Sequence, residues 1–240
     1  MRRYLIILFI LLLGFTACSK NKTQLTTEAR LKTADELFGR GKYARAALLY
    51  DEISFERKSA STAHATLRQA DCYFEINKFG DAKSKYEQFI GSFPDHQDVS
   101  SAYYKIGVCL YEESLPPQYD QNETIECIEA FRLFIEKFPS DKRYTNALDY
   151  IRKSQYKLLE KTYLTGYIYY KMKDYSAALM YFEEIITLGN TDSLDRKSLY
   201  YSAKLHLHQK NREKARSSYD SLLERYAGSK EAKRLARHFK

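Results

Sequence analysis

The residues of this chain best suited to act as nucleophiles or metal ligands are its four cysteines and five histidines. The cysteines never form a CxxC pair, which is the spacing of redox and zinc sites. His206 and His208 are two residues apart, so on a helix they would point to different faces and could not share a metal ion. No HExxH, glycine-rich phosphate loop or GxSxG occurs in the sequence. We therefore expect no catalytic site, no metal and no cofactor, and the sequence does not indicate an enzyme.

Cys18 differs from the other cysteines because of the residues that precede it. Residues 2–3 are both arginine, residues 4–13 form an unbroken apolar run, and residues 14–17 end in Thr-Ala directly before Cys18. This order is typical of a secretory signal peptide. The apolar run is too short to span a bilayer, which needs roughly 20 apolar residues. We predict that residues 1–17 are removed as a signal peptide.

The residues around the cleavage point also resemble a bacterial lipobox, in which the cysteine is lipidated and becomes the mature N-terminus. Phe15 stands where the commoner residue is Leu. No Asp follows Cys18 directly, and by resemblance to lipoprotein sorting signals this indicates the outer membrane. We expect Cys18 to anchor the chain by lipid to the periplasmic face of that membrane. The alternative is an ordinary signal peptide with a chance cysteine just after the cut.

The composition favours an all-α chain. Nine Gly and four Pro in 240 residues argue for helix rather than sheet. The formal charge is +8, but most Lys and Arg alternate with Asp and Glu, as they do on solvated helix faces. Nucleic acid is not an expected partner of an exported lipoprotein. The 22 Tyr suit stacked helices with a groove, because Tyr can bury its ring and keep its hydroxyl in water.

A repeat of small and aromatic residues runs through the chain. In four segments a small residue is followed twelve residues later by Ala and four residues after that by an aromatic residue, and in a fifth the first gap is twenty. The triplets are Ala34-Ala46-Tyr50, Ala70-Ala82-Tyr86, Gly107-Cys127-Phe131, Gly166-Ala178-Phe182 and Ala203-Ala215-Tyr219. Small residues at facing positions let the two helices of a hairpin approach closely. The shortest spacings between alanine positions, 36 and 37 residues, are close to the tetratricopeptide (TPR) period of roughly 34.

This pattern predicts an all-α, TPR-like α-solenoid of about five helical hairpins. We expect a flexible tether over residues 18–27, repeats 1–3 over residues 28–143, and a linking helix with repeats 4–5 over residues 144–240. An insert over residues 113–123, which contains Pro116-Pro117, should lie between the two helices of the third hairpin. It is either a solvated loop or a docking loop, since long insertions in solenoids often lie on the functional face.

The cysteines after Cys18 are predicted to be buried small side chains. Cys72 and Cys109 occupy the same repeat position, so they should point the same way. Cys127 replaces the small Ala of its second helix, where a free cysteine behaves as a small hydrophobe. Export permits disulfides, so a Cys109–Cys127 bridge inside the third hairpin is the alternative.

Aromatic residues recur on the first helix of each predicted hairpin, which in stacked hairpins usually lines the peptide-binding surface. Four residues after the small residue stand Phe38, Phe74, Tyr111 and Tyr170; three before it stand Leu31, Leu67, Tyr104, Tyr163 and Tyr200; one after it stand Asp35, Asp71, Val108, Tyr167 and Lys204. Together they predict an aromatic stripe, acidic at its N-terminal end, for a hydrophobic or aromatic peptide segment. The alternative is that these rings only pack between repeats.

Three features of the sequence are shared with a known family. The first is a lipobox followed by five repeats, the second is the insert at 119–124 running into 130–139, and the third is the segment 158–178. Together they resemble the BamD family, the TPR lipoproteins of the outer-membrane β-barrel assembly machine. The resemblance covers essentially the whole chain after Cys18.

This resemblance implies a lipid-held scaffold that binds and positions other proteins. In that family the N-terminal repeats contact unfolded barrel substrates, and the C-terminal repeats hold a BamA-like barrel partner through its periplasmic domains, together with other assembly lipoproteins. On this basis we assign the substrate segment to Leu31, Phe38, Leu67, Phe74, Tyr104 and Tyr111, and the stable partner to Tyr163, Tyr167 and Tyr170.

The alternative function is that of a TPR envelope lipoprotein that coordinates cell-wall synthesis and envelope constriction with the Tol system. Such proteins usually carry an N-terminal coiled coil. The ten-residue tether over residues 18–27 leaves no room for one, which counts against this alternative.

Overall fold

The computed structural model describes residues 26–239, which form eleven α-helices. In chain order these are α1 (Thr27–Gly39), α2 (Tyr43–Ser54), α3 (Ala60–Glu75), α4 (Phe79–Ser92), α5 (Val99–Glu113), α6 (Asn122–Lys137), α7 (Tyr144–Met172), α8 (Tyr175–Thr187), α9 (Ser193–His208), α10 (Arg212–Tyr226) and α11 (Lys230–Ala236). Each helix packs mainly on the helices before and after it in the chain. The all-α, TPR-like solenoid predicted from the sequence is therefore confirmed.

The helices of the five hairpins are arranged in two layers. The first helices, α1, α3, α5, α7 and α9, lie on one side, where α1 also contacts α3, α5 contacts α7, and α7 contacts α9. The second helices, α2, α4, α6, α8 and α10, lie on the other side. Helix α11 packs against α9 and α10 and so covers the C-terminal end of the stack.

The repeated small and aromatic residues form the interior between the layers. All fifteen residues of the five triplets are buried. A Cβ atom placed on Gly107 would lie 2.8 Å from the Phe131 ring, and one on Gly166 would lie 2.9 Å from the Cβ of Tyr181. The third and fourth hairpins thus bring their helices closer together than an alanine permits, and both have Phe as the aromatic residue of the triplet. The hairpins with Ala at this position have Tyr.

Four hairpins turn between their two helices at a residue with left-handed backbone. These residues are Gly41 (φ 69°), Asn77 (φ 58°), Lys173 (φ 64°) and Lys210 (φ 60°), each seven residues after the small residue of its triplet. Gly and Asn adopt this conformation readily, whereas a lysine there is strained by about 1–2 kcal/mol. In the third hairpin the same position is Ser114, where the insert begins.

Helix α7 connects the two halves of the stack. It runs for 29 residues without interruption, which is roughly 44 Å of helix. Its N-terminal part packs on α6 and its C-terminal part pairs with α8. Residues 144–159 therefore continue directly into the first helix of the fourth hairpin. Among residues 26–239 no helix combines the length and the apolar character that crossing a bilayer would require.

The three cysteines of the described region are free and buried. Burial raises the pKa of Cys72 and of Cys109 to about 12, so both remain protonated thiols at neutral pH. The Sγ of Cys127 lies 3.5 Å from the Ser154 hydroxyl oxygen and 3.5 Å from the Gly107 carbonyl oxygen. The predicted role as buried small side chains is confirmed, and the alternative Cys109–Cys127 disulfide is not formed.

Candidate functional site

The residues predicted to bind peptide lie on successive first helices. Leu31 and Phe38 are on α1, Leu67 and Phe74 on α3, and Tyr104 and Tyr111 on α5. All six are half-buried, each packing against a core cluster while part of the side chain remains at the surface. They form a row along the stack rather than the lining of one cavity, which suits an extended ligand better than a compact one.

The residues predicted to bind a stable partner cluster at the C-terminal part of α7. Tyr163, Tyr167 and Tyr170 are half-buried around the core of the fourth hairpin. The ring of Tyr167 lies 5.6 Å, and that of Tyr170 lies 4.9 Å, from the ring of Tyr201 on α9. Burial raises the pKa of Tyr201 to about 12. Tyr167 and Tyr170 therefore pack against the next hairpin, and the rings of Tyr163, Tyr167 and Tyr170 lie next to one another along α7.

A cation from the next first helix lies over each ring of the row formed by Phe38, Phe74, Tyr111 and Tyr170. The pairs, measured to the ring centroid, are Phe38 with Arg68 at 5.0 Å, Phe74 with Lys105 at 3.6 Å, Tyr111 with Lys157 at 5.1 Å, and Tyr170 with Lys204 at 5.2 Å. We call these four pairs the cation–aromatic ladder. A cation over a ring face is attracted by the ring quadrupole, by about 0.5–1 kcal/mol at exposed sites. The ladder thus links all five first helices and places positive charge on the predicted stripe.

The acidic residues predicted at the N-terminal end of the stripe are hydrogen-bonded within their own hairpins. The Tyr50 hydroxyl donates to Asp35 at 2.6 Å, and the Tyr86 hydroxyl donates to Asp71 at 2.7 Å. Burial, reinforced by the carboxylate, raises the pKa of both tyrosines far above the usual value. In the two hairpins whose triplet ends in Phe, the position of Asp35 and Asp71 is not acidic. It is Val108 in the third hairpin and Tyr167 in the fourth.

The third hairpin supports its stripe residues with a separate aromatic cluster. Tyr104 packs edge-on against Phe131 at 5.5 Å, and the Tyr111 ring lies 4.9 Å from the Tyr150 ring on α7. The Arg143 guanidinium covers Tyr104 at 5.3 Å and pairs with Asp141 at 2.7 Å. Hydrogen bonding from Arg143 holds the pKa of the Asp141 carboxyl well below its usual range.

The insert of the third hairpin is an ordered loop between α5 and α6. The Gln121 side chain is buried, and its amide nitrogen lies 2.9 Å from the Pro116 carbonyl oxygen and 2.9 Å from the Asp120 carbonyl oxygen. From α7, Lys161 donates to the Tyr119 carbonyl oxygen at 2.9 Å. Hydrogen bonds from Gln121 within the loop and from Lys161 on α7 therefore fix the loop, while the Tyr119 side chain remains 56% exposed.

Two open clefts flank α7, and the sequence pattern did not indicate them. The larger, of about 860 Å³, lies between the middle of α7 and the loop after α8; the smaller, of about 490 Å³, lies between α7 and the insert. Arg152 and Tyr156 line both clefts, and the exposed Leu188 lines the larger one. These linings come from segments distant in the sequence, so no single motif marks them.

Metal ligands do not gather in the part of the chain that the structure describes. Within residues 26–239 no three His, Cys, Asp or Glu side chains are placed to hold a metal ion. His206 is buried with its Nε2 atom 3.4 Å from Glu183, whereas His208 lies against the ring of Tyr175.

The stacked hairpins and their repeated triplets define the class of protein, a tetratricopeptide-repeat solenoid. A tetratricopeptide-repeat model matches residues 197–229. The YfiO model, described as an outer membrane lipoprotein, matches residues 22–189. Because that match covers well over half of the sequence, this chain belongs to the YfiO family of outer membrane lipoproteins.

Two curated relatives carry the name outer membrane protein assembly factor BamD. The protein of Rickettsia prowazekii (strain Madrid E) is 28% identical over 165 residues, which is 68% of this chain and 66% of that protein. The protein of Caulobacter vibrioides (strain ATCC 19089 / CIP 103742 / CB 15) is 22% identical over 174 residues, which is 72% of this chain and 57% of that protein. The chain therefore spans just under two thirds of one relative and over half of the other. The resemblance to BamD proteins is confirmed.

Among solved structures, the TPR2AB domain of yeast Sti1 in its pHSP90 complex is similar with a TM-score of 0.47 and 13% sequence identity. The similarity covers 86% of this chain and 80% of that chain.

Proposed function

We propose that this chain is a lipid-anchored scaffold in the assembly of outer-membrane β-barrel proteins. The observation that carries the proposal is the match to the outer membrane lipoprotein family together with two relatives named as assembly factors. The row of half-buried aromatic and leucine side chains on the first helices supports a binding role. Such a scaffold needs no catalysis, because its work is to hold a substrate and a partner in place.

The proposed anchor is a lipid on Cys18, which lies outside the described residues. The chain from Cys18 to Thr26, which caps α1, can span at most about 28 Å. Lipidation would thus keep the N-terminal hairpin close to the periplasmic face of the outer membrane. We expect Cys18→Ala to leave the protein soluble or with its signal peptide uncleaved. Membrane fractionation identical to that of the unchanged protein would contradict lipidation.

We propose that an unfolded barrel substrate lies extended across the first helices of the N-terminal hairpins. The contact residues are Leu31, Phe38, Leu67, Phe74, Tyr104 and Tyr111. Their half-buried state supports this role, because a ring fixed by packing loses little freedom when a ligand covers its exposed part.

Removal of two of these rings tests the groove. We expect Phe74→Ala and Tyr111→Ala each to weaken binding of a labelled barrel C-terminal peptide about tenfold, which is about 1.4 kcal/mol. The control is Phe55→Ala, which removes an aromatic ring that is 76% exposed on the second-helix side. Unchanged peptide binding by the groove variants, with normal helicity, would refute the groove.

We propose that the C-terminal half holds a BamA-like barrel partner through its periplasmic domains, alongside other assembly lipoproteins. The surface is that of Tyr163, Tyr167 and Tyr170. We expect Tyr167→Ala with Tyr170→Ala to reduce recovery of this partner in affinity capture. The matched control is Tyr169→Ala on the same helix, because Tyr169 stacks on Tyr181 of its own hairpin at 5.6 Å. Equal loss in the control would indicate damage to the fold instead.

A further inference from the structure

We propose that the cation–aromatic ladder selects extended segments that carry carboxylates at regular intervals, rather than uncharged hydrophobic segments. The inference rests on the proposed function, since it specifies the class of peptide that the first helices bind. Its basis is a set of lysines that cover aromatic rings across neighbouring first helices. Three belong to the ladder, namely Lys105 over Phe74, Lys157 over Tyr111 and Lys204 over Tyr170, and a fourth, Lys197, lies over Tyr163 at 5.4 Å.

None of these four lysines has an acidic partner at salt-bridge distance within residues 26–239, since no Asp or Glu oxygen of those residues lies within 4.0 Å of their ammonium groups. By contrast, Arg68 pairs with Asp71 at 3.2 Å, and Lys83 pairs with Glu126 at 3.1 Å. Lysines without a paired carboxylate are therefore present on α5, α7 and α9.

The nearest acidic residues of the stripe do not neutralise these lysines. Asp35 and Asp71 stand on α1 and α3, where they accept hydrogen bonds from Tyr50 and Tyr86 of their own hairpins. The acidic residues of the stripe thus lie at its N-terminal end, while from Lys105 onward the carboxylate of Glu112, outside the stripe, is close enough to act on Lys157.

Because lysine ammonium groups cover the ring faces, a ligand must accommodate positive charge as well as apolar surface. An uncharged peptide laid over the ladder would bury the ammonium groups without a counter-charge, and burial of an unpaired charge is unfavourable. Burial already lowers the pKa of Lys157, whose ammonium group donates to the Ser114 hydroxyl at 2.6 Å. A carboxylate placed beside each lysine removes this penalty, while apolar residues between the carboxylates pack on ring edges and lysine methylenes.

The distance between neighbouring first helices sets the spacing of carboxylates along the ligand. Packed helices lie about 8–10 Å apart, and Lys105, Lys157 and Lys204 stand on three successive first helices, with Lys197 about two turns before Lys204 on α9. A polyproline II strand returns to the same face every three residues, over about 9 Å. An acidic residue at every third position would therefore bring one carboxylate to each of Lys105, Lys157 and Lys204.

The test measures binding of synthetic peptides to the full lipidated chain in mild detergent. The probe is a fluorescein-labelled twelve-residue peptide with Glu at every third position and Leu, Tyr or Ser elsewhere. One control peptide replaces each Glu with Gln, and another has the same composition with its glutamates in one block. We expect the regular Glu peptide to bind at least tenfold more tightly than either control and to weaken as salt is raised.

Single substitutions then assign the effect to the ladder. Lys105→Met, Lys157→Met and Lys204→Met keep the apolar stem and remove the charge, and each should weaken binding about three- to fivefold, as for a partly exposed ion pair. Lys105→Arg should retain binding. The matched control is Lys137→Met, because Lys137 lies over Tyr103 at 5.7 Å within a single hairpin.

Equal binding of the Gln peptide or of the blocked-glutamate peptide overturns the proposal. So does equal behaviour of the ladder variants and Lys137→Met. Binding of short-chain phosphatidylglycerol that depends on the lysines, with no effect of glutamate, would overturn it in favour of lipid headgroups. If the barrel partner is captured but the Glu peptide does not bind, only the ladder inference fails. If the Glu peptide binds but no barrel partner is captured, the ladder inference stands and the proposed function fails.

Discussion

The hydrogen bond between Tyr86 and Asp71 gives a quantitative prediction for stability. Tyr86 is fully buried and donates to Asp71 at 2.7 Å, and Asp71 also pairs with Arg68. In the third hairpin the same two positions hold Phe131 and Val108. The fold therefore accepts either a hydrogen-bonded pair or an apolar pair, and a mixed pair should be unfavourable.

The structure sets the size of each effect. Tyr86→Phe removes a hydrogen bond to a charged acceptor, but Asp71 keeps Arg68 and is 22% exposed, so we expect a loss near about 1.5 kcal/mol. Asp71→Val leaves the buried Tyr86 hydroxyl without an acceptor, which costs about 2–3 kcal/mol. The double variant restores the pairing of the third hairpin and should cost about 1 kcal/mol or less. The coupling energy is then at least about 2 kcal/mol.

Urea unfolding followed by circular dichroism measures this cycle through the midpoint and the slope. Tyr219→Phe, at the equivalent position of the fifth hairpin, is the matched control and should change stability by less than about 0.5 kcal/mol. Losses that simply add in the double variant would refute the reasoning, because they would mean that Asp71 and Tyr86 contribute independently.

Three further predictions concern backbone contacts and acid stability. Gly107→Ala should destabilise by about 1–3 kcal/mol in urea unfolding, since its Cβ would lie 2.8 Å from the Phe131 ring. Lys173→Gly should stabilise by about 1 kcal/mol, or about 2–4 °C in a thermal melt, by relieving a left-handed lysine at φ 64°. Because the pKa of Asp141 is lowered in the folded chain, its stabilisation is present above about pH 4 and is lost as the pH falls below that value. Asp141→Asn should therefore flatten the loss of stability between about pH 4 and pH 2.5.

Each of these predictions has a contradicting result. An unchanged free energy of unfolding for Gly107→Ala would mean that the two helices of the third hairpin move apart without cost. The control is Gly91→Ala, which should be tolerated because a Cβ there meets nothing within 4 Å. No gain for Lys173→Gly would indicate that added freedom of the unfolded chain offsets the relieved strain. An unchanged acid profile for Asp141→Asn would assign acid unfolding to other carboxyl groups.

The hairpins could be predicted from the sequence because their packing is local. The small residue and the aromatic residue that contact each other, such as Gly107 and Phe131, belong to one hairpin and recur with nearly fixed spacing. The residue types of Gly41 and Asn77 also indicate turns, because Gly and Asn favour the left-handed backbone that both adopt. The equivalent Lys173 has the same left-handed backbone at φ 64° but gives no such signal, because its residue type does not favour that conformation.

The charge on the stripe could not be predicted, because it depends on the register between hairpins. The covering cations have no common repeat position: Arg68 and Lys105 stand two residues before their small residue, Lys204 stands one after, and Lys157 stands nine before. Each ring and its cation come from different repeats, and the triplets specify only the packing inside one repeat. The clefts beside α7 could not be predicted for the same reason, because their lining residues come from different repeats.

Affinity capture of the C-terminally tagged protein from gently solubilised envelopes, with mass spectrometry, tests the central claim most directly. We predict stoichiometric recovery of a large β-barrel protein with periplasmic domains from the unchanged chain, and reduced recovery with Tyr167→Ala and Tyr170→Ala. Recovery of Tol or cell-wall synthesis proteins without that barrel would contradict the assembly role and favour the alternative function.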